Sequence, residues 1–128
     1  MKLVKLPDTE LEIMKVIWKE GTPISTSRIK EVLDEKRPWN VSALQTLLNR
    51  LIDRKFLKTY KEGKNKYYET LVEEEEYVAF ENKNFLERIN NSSITKLVAS
   101  LYKSRNITDD DLEELARFIE KNTGGADD

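Results

Sequence analysis

The sequence predicts a mainly α-helical fold, an N-terminal winged helix-turn-helix followed by a C-terminal helical dimerisation arm. Three observations carry that prediction. Apolar residues recur at helical spacing through most of the chain. Capping residues, Gly or Pro stand at the ends of those segments. One stretch, 56–71, breaks the helical period with aromatic and β-branched residues about a polar turn.

The first helix is expected over Thr9–Glu20, capped by Asp8 or Thr9, with Thr9 and Glu12 spaced as a capping box. Leu11, Met14, Ile17 and Trp18 make its apolar face, and Gly21 ends it. Pro23 forces an extended entry, so Ile24 reads as a very short strand. The second helix runs over Thr26–Lys36, capped by Ser25 and stopped by Pro38, with Ile29, Val32 and Leu33 facing inward. The third starts at its cap Asn40 and runs to about Lys55. Its stripe of Leu44, Leu47, Leu48 and Leu51 belongs in a core.

The opposite face of that helix carries Ser42, Ala43, Gln45, Thr46, Asn49, Arg50 and Asp53. These are short hydrogen-bonding groups with a long cation among them, whereas a merely solvated face is rich in Glu and Lys. Phe56–Lys61 and Lys66–Leu71 read as two strands about the turn 62–65. That hairpin holds Lys58, Lys61, Lys64 and Lys66 on a protruding loop.

The remainder reads as helices over Glu73–Ile89, Ile94–Lys103 and Asp109–Lys121. Ser93 and Thr108 are their caps, and Asp111 completes an acidic capping box. Asp109 to Asp111 are therefore cap residues and not a cation site, and Glu73 to Glu76 form a solvated helix start. Trp18 and Trp39 read as packing residues, with Trp39 bracing the start of the third helix. The division expected is a winged-helix domain over 1–72, an arm over 73–121 and a disordered tail over 122–128.

Composition narrows the function. The chain has no Cys, which excludes disulfides and thiolate metal sites, and no His, which removes imidazole ligands and the usual general base near neutral pH. No catalytic residue, metal or cofactor is expected, and an enzyme is not the reading. The opening MKLVKLPD lacks the apolar run of a secretory signal, so a cytoplasmic protein is expected. The net charge of −2 conceals a division: residues 1–70 carry +5 and residues 71–128 carry −7. Residues 36–66 alone hold nine basic and two acidic side chains, which is the local charge a phosphate backbone would meet. The basic residues fall on the third helix and the hairpin. The candidate DNA-binding set is accordingly Ser42, Ala43, Gln45, Thr46, Asn49, Arg50, Arg54, Lys58, Lys61, Lys64 and Lys66. Arg50 and Arg54 have an alternative use, pairing with Asp53, Glu31 or Asp34. The competing functional class is a winged-helix module that binds protein; steep salt dependence and preference for a palindrome separate the two.

Glu10–Trp18 (ELEIMKVIW), Trp39 followed by Val41–Leu57, Lys66–Val72 (KYYETLV), Ile94–Tyr102 (ITKLVASLY) and Ile107–Lys121 form an ordered series that resembles the BlaI/MecI family of penicillinase repressors. The resemblance covers about residues 6 to 121. It implies a homodimer that represses genes by binding palindromic operators with TACA/TGTA half-sites. It also implies release by proteolysis in the arm after β-lactam sensing, with a membrane sensor protease or its downstream effector as partner. Two helical stripes would make the dimer, Leu97, Val98 and Leu101, and Leu112, Leu115 and Ile119. Three departures stand out. The position matching the family's Asn-Phe cleavage site holds Ser100-Leu101. The Cys-x-Cys ligands of the copper-responsive branch are absent. Ala43 and Gln45 replace longer or more basic residues on the recognition helix.

Overall fold

In the computed structural model, which describes residues 3–124, the element order is α1 (Asp8–Glu20), β1 (Ile24–Ser25), α2 (Thr26–Asp34), α3 (Val41–Asp53), β2 (Leu57–Glu62), β3 (Asn65–Thr70), α4 (Glu74–Asn90), α5 (Ile94–Lys103) and α6 (Asp109–Thr123). The three strands form one antiparallel sheet in the order β1-β3-β2. Three helices, a tiny strand and a two-stranded wing are a winged helix-turn-helix, and the fold as a whole is mainly α.

The helix starts follow local chemistry. Ser25, Asn40, Ser93 and Thr108 each accept the backbone N–H three residues on, and Thr108 with Asp111 forms a reciprocal capping box. The start of α1 departs from expectation. Pro7, at φ −58°, occupies the cap position and its carbonyl receives Leu11 N–H at 2.9 Å. Asp8 and Thr9 thus fall inside the first turn, and no side chain caps the helix. Its buried face is also displaced: Glu10, Ile13, Met14 and Ile17 are buried, while Leu11 and Trp18 pack at the margin. Helix α2 ends at Asp34, two residues earlier than expected, because Asp34 takes Lys30 Nζ and the Trp39 N–H and so starts the turn towards α3.

Helix α3 ends in a Schellman arrangement. Phe56 N–H reaches back to Leu51 O at 2.9 Å and Lys55 N–H to Ile52 O at 3.0 Å. Lys55 takes φ +67° at the position where glycine is usual, and buried Phe56 and Leu51 supply the apolar contact that goes with the motif. The wing is tighter than expected. Glu62 pairs with Asn65, so only Gly63 and Lys64 form the loop. Gly63 has φ +64° and Lys64 does not have a positive φ, which fits a two-residue loop with Gly first.

The chain divides into two compact units, the first ending at Glu81 and the second beginning at Asn82. The first has an apolar core of Leu6, Ile13, Met14, Ile17, Ile24, Ile29, Leu33, Leu44, Leu48, Leu51, Phe56, Leu57, Tyr68, Val72 and Tyr77. It continues past residue 72 because Tyr77, on α4, is buried there. The Tyr77 ring meets Phe56 edge-on at 5.5 Å, and its hydroxyl accepts Leu6 N–H at 2.8 Å. Burial pushes the Tyr77 phenol up to about 12. The second unit is different in kind. Among its described residues, no apolar side chain is buried. The tail expected from residue 122 begins as helix instead: Asn122 and Thr123 side chains bond back to the carbonyls of Phe118 and Ile119. Residues 125–128 lie outside the described residues.

Candidate nucleic-acid interface

The leucine stripe holds α3 against the core, so its opposite face is fixed outward. Ser42, Ala43, Thr46, Asn49 and Arg50 are exposed there, and Gln45 is half-buried. Asn40 caps the helix through Ala43 N–H at 3.0 Å, leaving the first-turn side chains free of capping duty. Thr46 is bonded back to Ser42 O at 3.0 Å, which fixes its rotamer. Gln45 donates to Asn49 at 3.0 Å and to the hydroxyl of Tyr68 on β3 at 3.3 Å.

The wing brings its cations together. Lys61 and Lys66 stand directly opposite each other in the strand register, beside Lys64 in the loop. Like charges so placed repel, and an anion between them relieves the repulsion. Lys58, Lys61 and Lys64 are exposed and Lys66 is half-buried. Tyr60 and Tyr67 stack across the same strand pair at 5.8 Å and stiffen the hairpin.

The cations of α2 and those of this surface differ in their partners. Arg28 is held by Glu20 and Glu31, Lys30 by Asp34, and Arg37 by both oxygens of Glu12 at 2.9 and 3.0 Å. Their partners hold the guanidinium pKa values of Arg28 and Arg37 above the ordinary one, through Glu31 and Glu20 and through Glu12 respectively. Lys30, with the Trp39 N–H, holds the Asp34 carboxyl below its ordinary value. By contrast Arg50, Lys58, Lys61, Lys64 and Lys66 have no ion-pair partner among the described residues. Lys15, Lys19 and Lys36 also lack an ion pair among the described residues; what marks α3 and the wing is the concentration of such cations over residues 50–66.

Arg54 stands apart. It was expected either on DNA or paired with Asp53, Glu31 or Asp34. Its Nε instead lies 2.9 Å from Glu10 Oε1, and the Glu10 side chain is only 1% exposed. The approach is off the N–H axis, so neither carboxylate oxygen gains a hydrogen-bond donor among the described residues. Sequence reasoning missed Glu10 because a Glu on a first helical turn reads as a solvated dipole partner. It also missed Tyr68, whose hydroxyl is reached from α3 across 23 residues of chain.

Trp18 and Trp39 are packing residues, as expected. Trp18 packs against the core and donates to Val72 O at 2.9 Å. Trp39 lies under the Arg37 guanidinium at 4.7 Å and ties its own N–H to Asp34 at the entry to α3. In the second unit Leu97, Val98 and Leu101 on α5 and Leu112 and Leu115 on α6 are half-buried, and Ile119 is exposed. Ile94 is also exposed, as are Phe85 and Phe118, which were not singled out in the sequence, Phe118 at 62%. Ser100-Leu101 lies inside α5, with Ser100 O receiving Ser104 N–H. No helix among the described residues is long and apolar enough to cross a membrane.

A family model described as penicillinase repressor matches residues 6–121. The chain belongs to the penicillinase repressor family. A penicillinase repressor from Bacillus licheniformis is 30% identical over 120 residues, 94% of this chain and 93% of that one. Two solved structures are similar to this chain at 37% identity, each match covering 59% of this chain and 92% of the other. One is the solution structure of the DNA-binding domain of the repressor BlaI, with a TM-score of 0.53. The other is Bacillus licheniformis BlaI in monomeric form in complex with the blaP half-operator, with a TM-score of 0.50. For a penicillinase repressor, the expected resemblance and fold class hold, and a repressor is not a class of enzyme.

Proposed function

We propose that this chain is a homodimeric, sequence-specific DNA-binding repressor acting on a palindromic operator with TACA/TGTA-like half-sites. The observation that carries the reading is the concentration of unpaired cations on α3 and the wing: Arg50, Lys58, Lys61, Lys64 and Lys66 have no ion-pair partner among the described residues, and Lys61 and Lys66 stand opposed in the strand register. Helix α3 enters the major groove with Ser42, Ala43, Gln45, Thr46, Asn49 and Arg50 towards the base edges. Lys58, Lys61, Lys64 and Lys66 hold the flanking phosphates, setting register without reading sequence. The half-operator bound by the similar BlaI structure supports DNA as the partner.

The second unit joins two copies. The amphipathic helices α5 and α6 have no buried apolar side chain among their described residues and need a second surface, and an obligate interface resembles a domain core cut in half. Leu97, Val98, Leu101, Leu112, Leu115 and Ile119 supply it, with Phe118 beside them. A two-fold dimer then sets two recognition helices one DNA turn apart, or a multiple of it. Linking raises affinity by about 10²–10⁴-fold. Cutting the arm at Ser100-Leu101, in response to a β-lactam signal, removes that gain and frees the operator. Because this bond lies within α5, the helix has to unwind locally before a protease can take it.

Sedimentation of the full chain, beside its affinity for duplex DNA at rising salt, tests the reading. A dimer whose affinity falls steeply with salt is the expected result. A monomer, or binding indifferent to salt, overturns it.

A further inference from the structure

Gln45 is a recognition-face residue tied to the wing. Its amide nitrogen donates both to Asn49 Oδ1 and to the Tyr68 hydroxyl. A primary amide nitrogen has two hydrogens, and both are spent. Gln45 keeps only its carbonyl oxygen, an acceptor. Asn49, exposed and already accepting on its oxygen, keeps its two amide hydrogens, which are donors. Four residues apart on one helix, the two side chains are neighbours. Together they offer one acceptor and one donor.

That pattern selects a base. In the major groove adenine shows the N6 donor and the N7 acceptor, whereas guanine shows two acceptors, cytosine one donor, and thymine one acceptor and a methyl. A single Gln usually reads adenine with both ends of its own amide. Gln45 cannot, because its nitrogen is committed. Tyr68 itself is fully buried on the central strand, paired with Ile24 on one side and Thr59 on the other, so its hydroxyl is a fixed point.

We infer that Tyr68 is a positioning residue for operator reading: its hydroxyl holds the Gln45 amide so that Gln45 Oε1 and Asn49 Nδ2 together recognise an adenine-bearing base pair in each half-site. This rests on the DNA-binding reading above. It adds a buried wing residue, which never touches DNA, to the determinants of sequence.

The test compares full-length wild type and Tyr68→Phe, each selected on a randomised duplex library and sequenced. Affinities for the selected and for random duplexes are then measured against salt, and thermal midpoints are compared. Wild type is expected to require adenine at one position per half-site. Tyr68→Phe is expected to lose about tenfold of that preference while keeping its affinity for random DNA and its salt slope. If Tyr68→Phe lowers the thermal midpoint, Gln45→Leu leaves Tyr68 in place and is expected to abolish the same adenine preference. Full retention of the preference in the variant, or equal loss on every sequence, overturns the inference. A wild type that selects sites with no adenine position tied to Tyr68 or Gln45 does the same. A wild type that selects no sequence at all refutes the DNA-binding reading itself, which separates the two failures.

Discussion

Arg54→Met removes the partner of a buried carboxylate. Glu10 is 1% exposed, and its one countercharge among the described residues is the Arg54 guanidinium, 2.9 Å away and about one-third exposed. Removing one member of a buried pair destabilises by about 3–5 kcal/mol, because the charge left behind is unsolvated. The exposure of Arg54 lets water approach the orphaned carboxylate, so the lower end applies, about 3 kcal/mol. In a unit of this size that lowers the melting temperature by roughly 12–24 °C. Glu10→Met alone strands the cation, but Arg54 can turn outwards, so the loss is smaller, about 1–2 kcal/mol. The double variant Glu10→Met/Arg54→Met restores much of the loss, with a coupling of at least about 1 kcal/mol. Thermal and urea unfolding followed by circular dichroism measures the cycle. An Arg54→Met protein within about 0.5 kcal/mol of the parent, or strictly additive variants, would refute the role given to the pair. The salt slope of DNA binding separates that role from a phosphate contact. A framework role leaves the slope intact in a folded Arg54→Met protein, and a phosphate contact lowers it by about one unit.

Two further predictions concern the interface. Arg50→Ala should leave the fold intact and weaken operator binding by about 1–3 kcal/mol, measured by titration of a labelled operator; unchanged affinity would remove Arg50 from the reading face. Replacing Lys61, Lys64 and Lys66 together by Ala should weaken binding to every sequence alike and flatten the salt slope by up to about one unit per lost phosphate contact. A loss confined to the cognate operator would mean that the wing reads bases or shape.

Much of the secondary structure was legible in the sequence because its signals are local. Ser25, Asn40, Ser93 and Thr108 announce their helices through hydrogen bonds three residues away, and the leucines of α3 announce a core through their spacing. The hairpin followed from composition alone, though each strand runs one residue further into the turn than a loop over 62–65 allows. What stayed hidden depends on distant chain. Tyr77 lies on the helix after the wing, and only the folded core shows that it fills space against Phe56 and takes the Leu6 N–H, 71 residues away. Glu10 and Arg54 are ordinary surface residues in any window of sequence; the burial of Glu10 and its pairing with Arg54 follow from how α1 packs on α3. The recognition-face residues were identifiable as a set, since a short polar face opposite a leucine stripe is a local pattern. Their internal hydrogen bonding was not, because Tyr68 arrives from another element.

The central claim is that α3 and the wing of two joined copies read a palindrome. Fluorescence anisotropy of the full chain on a duplex with inverted TACA/TGTA half-sites, against a scrambled duplex of equal length and composition, tests it most directly when run at two salt concentrations. The account predicts two protomers per palindrome, affinity at least about 10³-fold above the scrambled duplex, and a fall in both with salt. Equal affinity for the two duplexes, or one protomer saturating the palindrome, would contradict it.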